Sequence, residues 1–494
     1  MLLTAAVLLG VAYAIGVLGL FLYGVNAYVM VALHWWGIKR VRAAPPPPAV
    51  WPSVTVQLPI YNERYVARRL LEAVGGLDYP ADRLEIQVLD DSSDETTTIL
   101  AETVRTLASL GLNVVHLRRP RRHGFKAGAL AAGLKEASGE FIAIFDADFV
   151  PPSDFLRRTL PHFADPSVAV VQTRWGHLNR DFSLLTMAQG LGIDGHFAVE
   201  QAARHRAGLF LNFNGTAGVW RRIAIDDAGG WTHDTLTEDL DLSYRAQLRG
   251  WRIEYRPEIV CPAELPVLVS GFKTQQRRWA RGSIQTAVKL LPRVMTSPHS
   301  VWVKYQAAIH LTYYLIHPLM LLIVVLSTPL LLARPLAPAP PLLAVVGLLF
   351  GLAAAGPGCM LVYAQCVLGP GWVARAARLP TILVVGVGVA WSTSHAALGG
   401  FWSRGDAFVR TPKFGIGPEG GHWRDKAYAD RQPAGGLFEI GLGLYSATTA
   451  WLAWQQAEYA LVPFLLLYTC GFLTVGGITL LHGATGRRSL WARG

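Results

Sequence analysis

Hydrophobic positions along this chain fall into three blocks. From Leu2 to Leu33 no charged residue interrupts them, a run longer than the ~20 residues a bilayer requires, and Lys39, Arg40 and Arg42 follow at once. The run predicts an uncleaved signal anchor, 1–37, with its C-terminal end toward the cytoplasm. A cleaved leader has a basic start, a shorter apolar core and a small-residue cleavage site. From Trp51 to Pro292 the pattern shifts to short β-rich runs, Ser53–Leu58, Leu84–Leu89 and Phe141–Phe145, alternating with helical stretches. A soluble α/β domain with interfacial helices is predicted over 51–300, reached through a linker, 38–50, that Pro45 to Pro48 stiffen.

In the third block apolar runs recur at Ile309–Leu332, Leu342–Leu368, Leu379–Leu398, Leu437–Trp454 and Leu461–Leu481. The charges decide which of them cross. Residues 402–431 hold Arg404, Arg410, Lys413, Arg424, Lys426 and Arg431, and a crossing by Leu379–Leu398 would put them all outside, against the positive-inside pattern. With Leu379–Leu398 along the inner interface, that segment stays cytoplasmic together with Arg487, Arg488 and Arg493. The short loops 334–340 and 455–458, whose basic residue is Arg334, then face outward. The expectation is about five crossings plus interfacial helices: two membrane helices in 301–370, an interfacial helix and loop in 371–434, and two further helices with a cytosolic tail in 435–494.

Composition agrees with two solvents. Of the 494 residues 52% are hydrophobic and 16% charged, against roughly 25% charged in soluble domains. Mean hydropathy is +0.30. The formal charge of +11 suits nucleic acid, an anionic membrane face or anionic substrates, and in a lipid-embedded chain the membrane comes first. Basic residues gather at membrane edges and no nucleic-acid module is recognisable, which excludes that partner class. Cys261, Cys359, Cys366 and Cys470 form no CxxC pair and are read as reduced packing residues.

Each of the three β-rich runs ends in polar residues: Tyr61-Asn62-Glu63, Asp90-Asp91 and Asp146-Ala147-Asp148. In an open parallel sheet, ligands bind beyond the carboxyl ends of the strands, so such tips converge on one crevice. Asp146 and Asp148, two apart on one turn, can reach a single hard cation; Ser153 or Asp154 capping a following helix is the alternative. Asp90 and Asp91 can accept hydrogen bonds from a base or ribose, while Ser92, Ser93 or Asp94 can cap a helix instead. Lys126, among small residues before a helical run, suits a phosphate, although a solvated lysine is commoner. Thr237-Glu238-Asp239 contains a carboxylate able to take a proton from an acceptor hydroxyl, with Asp239 the candidate, yet Thr235 and Glu238 also fit a capping box. Gln275, Arg278 and Trp279 share a helical face: arginine for diphosphate, tryptophan for a pyranose, or else a cationic helix, Lys273–Arg281, resting on anionic lipid.

Leu58-Pro-Ile-Tyr-Asn-Glu63, Val88-Leu-Asp-Asp-Ser92, Phe125-Lys-Ala-Gly-Ala129, Phe145-Asp-Ala-Asp-Phe149, Thr237-Glu-Asp239 and Gln275-Gln-Arg-Arg-Trp279 occur in this order. Together they resemble processive family-2 glycosyltransferases, the cellulose synthase superfamily. Phe213-Asn-Gly-Thr-Ala-Gly-Val-Trp-Arg221 and Gly229-Gly-Trp231 resemble the plant cellulose-synthase-like glucomannan and xyloglucan-backbone synthases and their bacterial relatives. The resemblance covers the soluble domain, roughly half the chain.

It implies a GT-A, Rossmann-like α/β domain in the cytosol, inserted between transmembrane helices that receive the growing chain. It also implies a nucleotide-sugar donor and Mg²⁺ or Mn²⁺. Donor contacts then fall to Tyr61, Glu63, Asp90, Asp91, Lys126, Asp146, Gln275 and Arg278, and the metal to Asp146 and Asp148. Catalysis falls to Thr237, Glu238 and Asp239, and the acceptor to Trp279, Gly215 and Thr216. Phe408-Val-Arg-Thr411-Pro-Lys413 resembles the gating loop Phe-x-Val-Thr-x-Lys of cellulose synthases, with Arg410 where valine is expected, so Phe408, Thr411 and Lys413 join the donor set.

The expected protein is an inverting, processive hexosyltransferase that uses UDP-glucose, builds a β-linked glucan of β-1,4 type and passes it through its own helices in a bacterial inner (plasma) membrane. Alternatives are a GDP-mannose-using mannan or glucomannan synthase and a non-processive glycolipid-forming enzyme; a transporter or scaffold is disfavoured by the complete acid set. Partners implied are the donor, a β-glycan acceptor and the lipid bilayer, with any periplasmic or envelope partner unidentified. About a dozen residues follow Leu481, so no cyclic-dinucleotide-binding appendage is expected.

Overall fold

The computed structural model describes residues 2–37, 45–333, 340–424, 426–428 and 434–491. Lys39, Arg40, Arg42, Arg334, Arg431 and Arg493, which entered the charge argument, lie outside the described residues, as do the side chains of Arg487 and Arg488.

Among the described residues one sheet has seven strands: β1 (Val54–Ile60), β2 (Leu84–Asp90), β3 (Asn113–Arg118), β4 (Phe141–Ile144), β5 (Val168–His177), β6 (Gly218–Arg221) and β7 (Arg252–Ala263). Their order is β3-β2-β1-β4-β6-β5-β7. β1 is parallel to both β2 and β4, so the order reverses beside β1. That is the switch point at which a doubly wound sheet opens a crevice. β6 runs antiparallel between β4 and β5. The three β-rich runs read from the sequence are β1, β2 and β4, so their polar tips lie side by side. This is the GT-A-like fold expected.

β1 is buried almost throughout, because helices cover both faces of the sheet. Val56, Leu58, Ile86 and Val88 pack with Leu70, Leu100 and Phe155 on one face. On the other, Ile142 and Ile144 pack with Leu130, Trp220 and Leu242. Two buried amides inside the central strands face each other: Gln57 donates to Gln87 at 3.0 Å. The second layer contains the helices Phe125–Glu136 and Glu238–Leu248, whose first turns carry Lys126 and Asp239.

Four helices are long and apolar enough to cross a membrane, Thr4–Gly37, Val301–Ala333, Gly347–Val367 and Val462–Gly483. Trp372–Gly388 and Ala390–Gly399, bent by 49°, add a fifth if the pair is one span. Two expectations therefore change places. Leu379–Leu398, assigned to the interface, is apolar enough to qualify within the bent pair. Leu437–Trp454, assigned to a crossing, forms the helix Ala434–Gln455 but is not among the candidates; Glu439 and a run of Ser446, Thr448 and Thr449 dilute it.

The first helix crosses Pro340–Val367 at glycine contacts. A Cβ at Gly24 would strike the Ala353 backbone, and one at Gly356 the Gly24 carbonyl, so small residues permit the close approach. The helix Val269–Thr296 joins the two halves of the molecule. Its Lys273 Nζ lies 2.7 Å from the buried Glu439 of Ala434–Gln455 and donates to Thr479 at 2.9 Å. All four cysteines are free, but only Cys261 is buried; Cys359, Cys366 and Cys470 are exposed, so the packing role read for them holds at one position.

Candidate active site

One cleft opens above the carboxyl ends of β1, β2 and β4, where Tyr61, Glu63, Asp91, Asp146 and Asp148 line it. Lys126, Gly215 and the Thr237-Glu238-Asp239 run close one side. Gln275, Arg278 and Trp279 come from the Val269–Thr296 helix, and Phe408, Thr411 and Lys413 from the segment after Gly400. The cleft gathers every residue nominated from the sequence except two.

Those two are Asp90 and Thr216. Adjacent residues at a strand end point to opposite sides. Asp90 therefore turns inward, 1% exposed, and takes bonds from Ser92 N at 2.8 Å and His116 Nε2 at 3.0 Å. Asp91 turns to the cleft. Arg119 holds it from two nitrogens, at 3.0 and 2.5 Å, and donates also to the carbonyls of His123 and Phe125. Asp91 thus shapes the turn that launches the Lys126 helix. Thr216 is fully buried and its hydroxyl accepts from Asp146 N at 2.8 Å, which aims Asp146 without exposing Thr216 to the cleft.

The capping alternatives are not realised at the catalytic acids. Asp154 makes no side-chain cap to the helix it precedes, and the Thr235 hydroxyl of the Thr235–Glu238 capping box bonds nothing. Asp94 does accept from Thr96 N at 3.0 Å.

Lys126 is the centre of one charge cluster. It donates to Asp146 Oδ1 at 2.5 Å and to the Gly215 carbonyl at 2.9 Å, and lies 3.9 Å from Glu238. Burial opposes its charge, but Asp146 and Glu238 outweigh burial and hold its pKa above the ordinary lysine value. Asp239, half-buried beside it, is pushed up to about 7 by burial and by the neighbouring Glu238, against the pull of Lys126. Gly215 has φ +83°, and a Cβ there would lie 2.7 Å from Asp239 Oδ2. Only glycine lets Lys126, Asp146 and Asp239 share this corner.

A second cluster ties down the late segment. Lys413 donates to Asp148 Oδ2 at 2.7 Å and to the Glu264 carbonyl. Glu264, 1% exposed at the end of β7, accepts from the backbone N–H of Phe414 at 2.7 Å and of Ile416 at 3.0 Å, and pairs with Arg69 at 3.2 Å. Burial raises its pKa, against Lys413 and the Phe414 N–H. Arg410 approaches Glu63 at 3.3 Å. Burial pushes Glu63 up to about 8 even with Arg410 beside it.

The Val269–Thr296 helix supports both clusters. Arg278 sits over the Phe408 ring at 4.4 Å, and Phe408 stacks on Phe125 with centroids 6.4 Å apart. One turn later Arg281 pairs with Asp406 at 2.8 Å, and Gln285 bonds both Asp406 and Leu236 N. Gly282 lies against Thr237, where a Cβ would come within 2.6 Å of its side chain. Arg119, Glu264 and Gln285 were missed by sequence reading. Glu264 follows the β-rich run 252–263 as the other polar tips follow theirs, which is the signal that was available.

Asp146 and Asp148 offer hard carboxylate oxygens suited to Mg²⁺ or Mn²⁺. Among the described residues no group of three His, Cys, Asp or Glu forms a cage. The pair therefore fits a cation that takes its remaining ligands from a bound anion, and Lys126 and Lys413 mark where positive charge is wanted.

Residues 52–282 match the family described as glycosyltransferase like family 2. Over this stretch the chain is similar to family-2 glycosyltransferase domains of the cellulose-synthase-like kind. Among its relatives, glucomannan 4-beta-mannosyltransferase 2 of Arabidopsis thaliana is 44% identical over 250 residues, 50% of this chain and 47% of that protein. Glucomannan 4-beta-mannosyltransferase 1 of Oryza sativa subsp. japonica is 42% identical over 274 residues, 54% and 51% of the respective chains. The chain spans about half the length of the curated relatives it matches. A mannosyltransferase from Pyrobaculum calidifontis, solved with GDP-Man and Mn²⁺, superposes with TM-score 0.51 at 22% identity over 81% of this chain and 99% of that one, a likeness of fold.

Proposed function

We propose that this protein transfers mannose from GDP-mannose to a β-linked mannan or glucomannan acceptor at a membrane, with inversion. The expected UDP-glucose donor gives way to the alternative, because the relatives matched are named mannosyltransferases. Membrane association is kept. Assignment to a bacterial inner membrane is not, since those relatives are plant proteins.

The observation that carries the reading is the corner where Asp239, Lys126 and Asp146 meet across Gly215. Asp239 takes the proton of the acceptor hydroxyl as that oxygen attacks the anomeric carbon of the α-linked donor. Its raised pKa matches this task, for a base poised near neutrality is both available and strong. Lys126 and Arg278 face the diphosphate and stabilise the charge that builds on it as the glycosidic bond breaks. A divalent cation at Asp146 and Asp148 supplies further charge neutralisation to the leaving diphosphate when bound. Lys413, drawn in with the segment that Glu264 anchors, covers the donor from the opposite side. Trp279 offers a flat apolar face to an acceptor sugar. No covalent intermediate is needed, so the product is β-linked. Processive extension, with the chain leaving among the membrane helices, follows from the resemblance of Gln275-Gln-Arg-Arg-Trp279 and Phe408–Lys413 to processive enzymes.

The test is turnover by purified full-length protein in nanodiscs with Mg²⁺ or Mn²⁺, offered GDP-mannose and UDP-glucose separately, following nucleotide release and product size. GDP-mannose is expected to be used at least about tenfold faster and to give retained polymer. Preference for UDP-glucose would overturn the donor assignment, and short or lipid-linked product would overturn processivity.

A further inference from the structure

The position at which the late segment departs from its resemblance is Arg410, and its place in the fold gives that departure a use. Arg410 does not point to solvent: its side chain is 14% exposed and lines the cleft. It meets Glu63, 12% exposed, at the tip of β1. Although Arg410 Nη1 and Glu63 Oε2 are 3.3 Å apart, neither atom makes a hydrogen bond, so a buried donor and a buried acceptor both stand unsatisfied. Buried polar atoms left in this state cost free energy that a bound group can recover.

The surroundings specify what that group must be. The Arg410 guanidinium lies over the Tyr428 ring at 4.0 Å, and the Tyr428 hydroxyl donates to Asp94 in the loop after β2. Tyr61 lies in the same stretch of cleft, with Arg122 over its ring at 3.5 Å. Within the same cleft Lys126 and Asp146 meet Asp239, whereas Arg410 and Glu63 meet residues after β1 and β2, with Asp148 and Lys413 near enough to act on the charge of Glu63. This stretch presents tyrosine rings, guanidinium donors of which Arg410 leaves Nη1 without a bond, and the Glu63 carboxyl, whose Oε2 is an unfilled acceptor. A planar heteroaromatic with adjacent acceptors on one edge and adjacent donors on another satisfies all of them. Guanine has both, O6 and N7 for an arginine and N1–H and the 2-amino group for a carboxylate. Uracil offers one ring N–H and no such paired donor edge.

We infer that Arg410, with Glu63 facing it, is a specificity-determining residue that reads the guanine base of the donor. The inference rests on the GDP-mannose reading. It assigns base selection to the late segment, so that the segment seats on a guanine nucleotide and less well on a uracil one.

The test is equilibrium binding of GDP, inosine diphosphate and UDP to full-length protein in nanodiscs with Mn²⁺, for wild type, Arg410→Val, Arg410→Lys and Glu63→Gln. Wild type is expected to prefer GDP over UDP, and Arg410→Val to shrink that preference by roughly 10- to 100-fold, the worth of one bidentate base contact. Arg410→Lys keeps the charge but loses the fork, and is expected to restore overall affinity without restoring the preference. Glu63→Gln is expected to narrow the gap between GDP and inosine diphosphate, which lacks the 2-amino group. Equal weakening of GDP and UDP in Arg410→Val, with rescue by lysine, would overturn the inference and make Arg410 a phosphate contact. A wild type that binds UDP at least as well as GDP would instead overturn the donor reading beneath it. Retained binding of any of the nucleotides by the variants shows that they are folded.

Discussion

Gly215 and Asp239 are matched to each other: the left-handed backbone at Gly215, φ +83°, brings its missing side chain to within 2.7 Å of Asp239 Oδ2, so the position is closed to any residue with a Cβ. Gly215→Ala should therefore strain the backbone by about 1–3 kcal/mol and push the carboxylate aside. Turnover is expected to fall by roughly 100-fold with the protein still folded, because small displacements of a reacting group carry penalties of that order. Steady-state rates beside a thermal melt check this; an active Gly215→Ala would mean the contact has no functional weight.

The pH dependence follows from Asp239. With its pKa raised to about 7 by burial and Glu238, the carboxyl is protonated below that pH and cannot accept a proton. The rate should rise with pH through about 7 and level off above it. Glu238→Gln removes a raising influence, so the acid limb should move to lower pH. A pH–rate profile in which the limb stays in place or moves upward would contradict the coupling.

Glu264 anchors the late segment through the N–H groups of Phe414 and Ile416. Charge-assisted bonds of this kind are worth about 1.5–3 kcal/mol each. Glu264→Gln should raise the donor KM by roughly tenfold or more and expose 403–424 to proteolysis. Unchanged KM and cleavage rate would show that the segment is held by other contacts.

Lys273 and Glu439 tie the catalytic half to the membrane helices at 2.7 Å. Glu439→Leu alone leaves a buried ammonium, and should cost about 3–5 kcal/mol, whereas Lys273→Met with Glu439→Leu should be close to neutral. Thermal unfolding in nanodiscs distinguishes the two; equal losses would place the energy elsewhere.

Local pattern carried much of this architecture and stopped at definite points. β1, β2 and β4 were legible because each is an apolar run with a polar tip, and their being neighbours makes the tips converge. Asp90 and Asp91 were not separable, since strand parity fixes which turns inward and parity depends on where pairing with β3 ends. Arg119, Glu264 and Glu439 act through partners up to 195 residues away in the chain, as Glu264 does with Arg69, and no local pattern announces such pairs. The membrane segments were found by apolarity, but charge counting and apolarity ranked Leu379–Leu398 and Leu437–Trp454 in opposite order, because Glu439 is buried against Lys273 and not exposed to lipid. Arg410 was visible as a departure; only its contact with Glu63 gives it a meaning.

The most direct measurement is Asp239→Asn, comparing GDP-mannose binding with mannosyl transfer in the same nanodisc preparation. The account predicts binding within a few-fold of wild type and transfer lower by roughly 10²- to 10⁴-fold, the usual contribution of a general base. Transfer at the wild-type rate would remove Asp239 from the role of base and with it the mechanism built on this corner of the cleft.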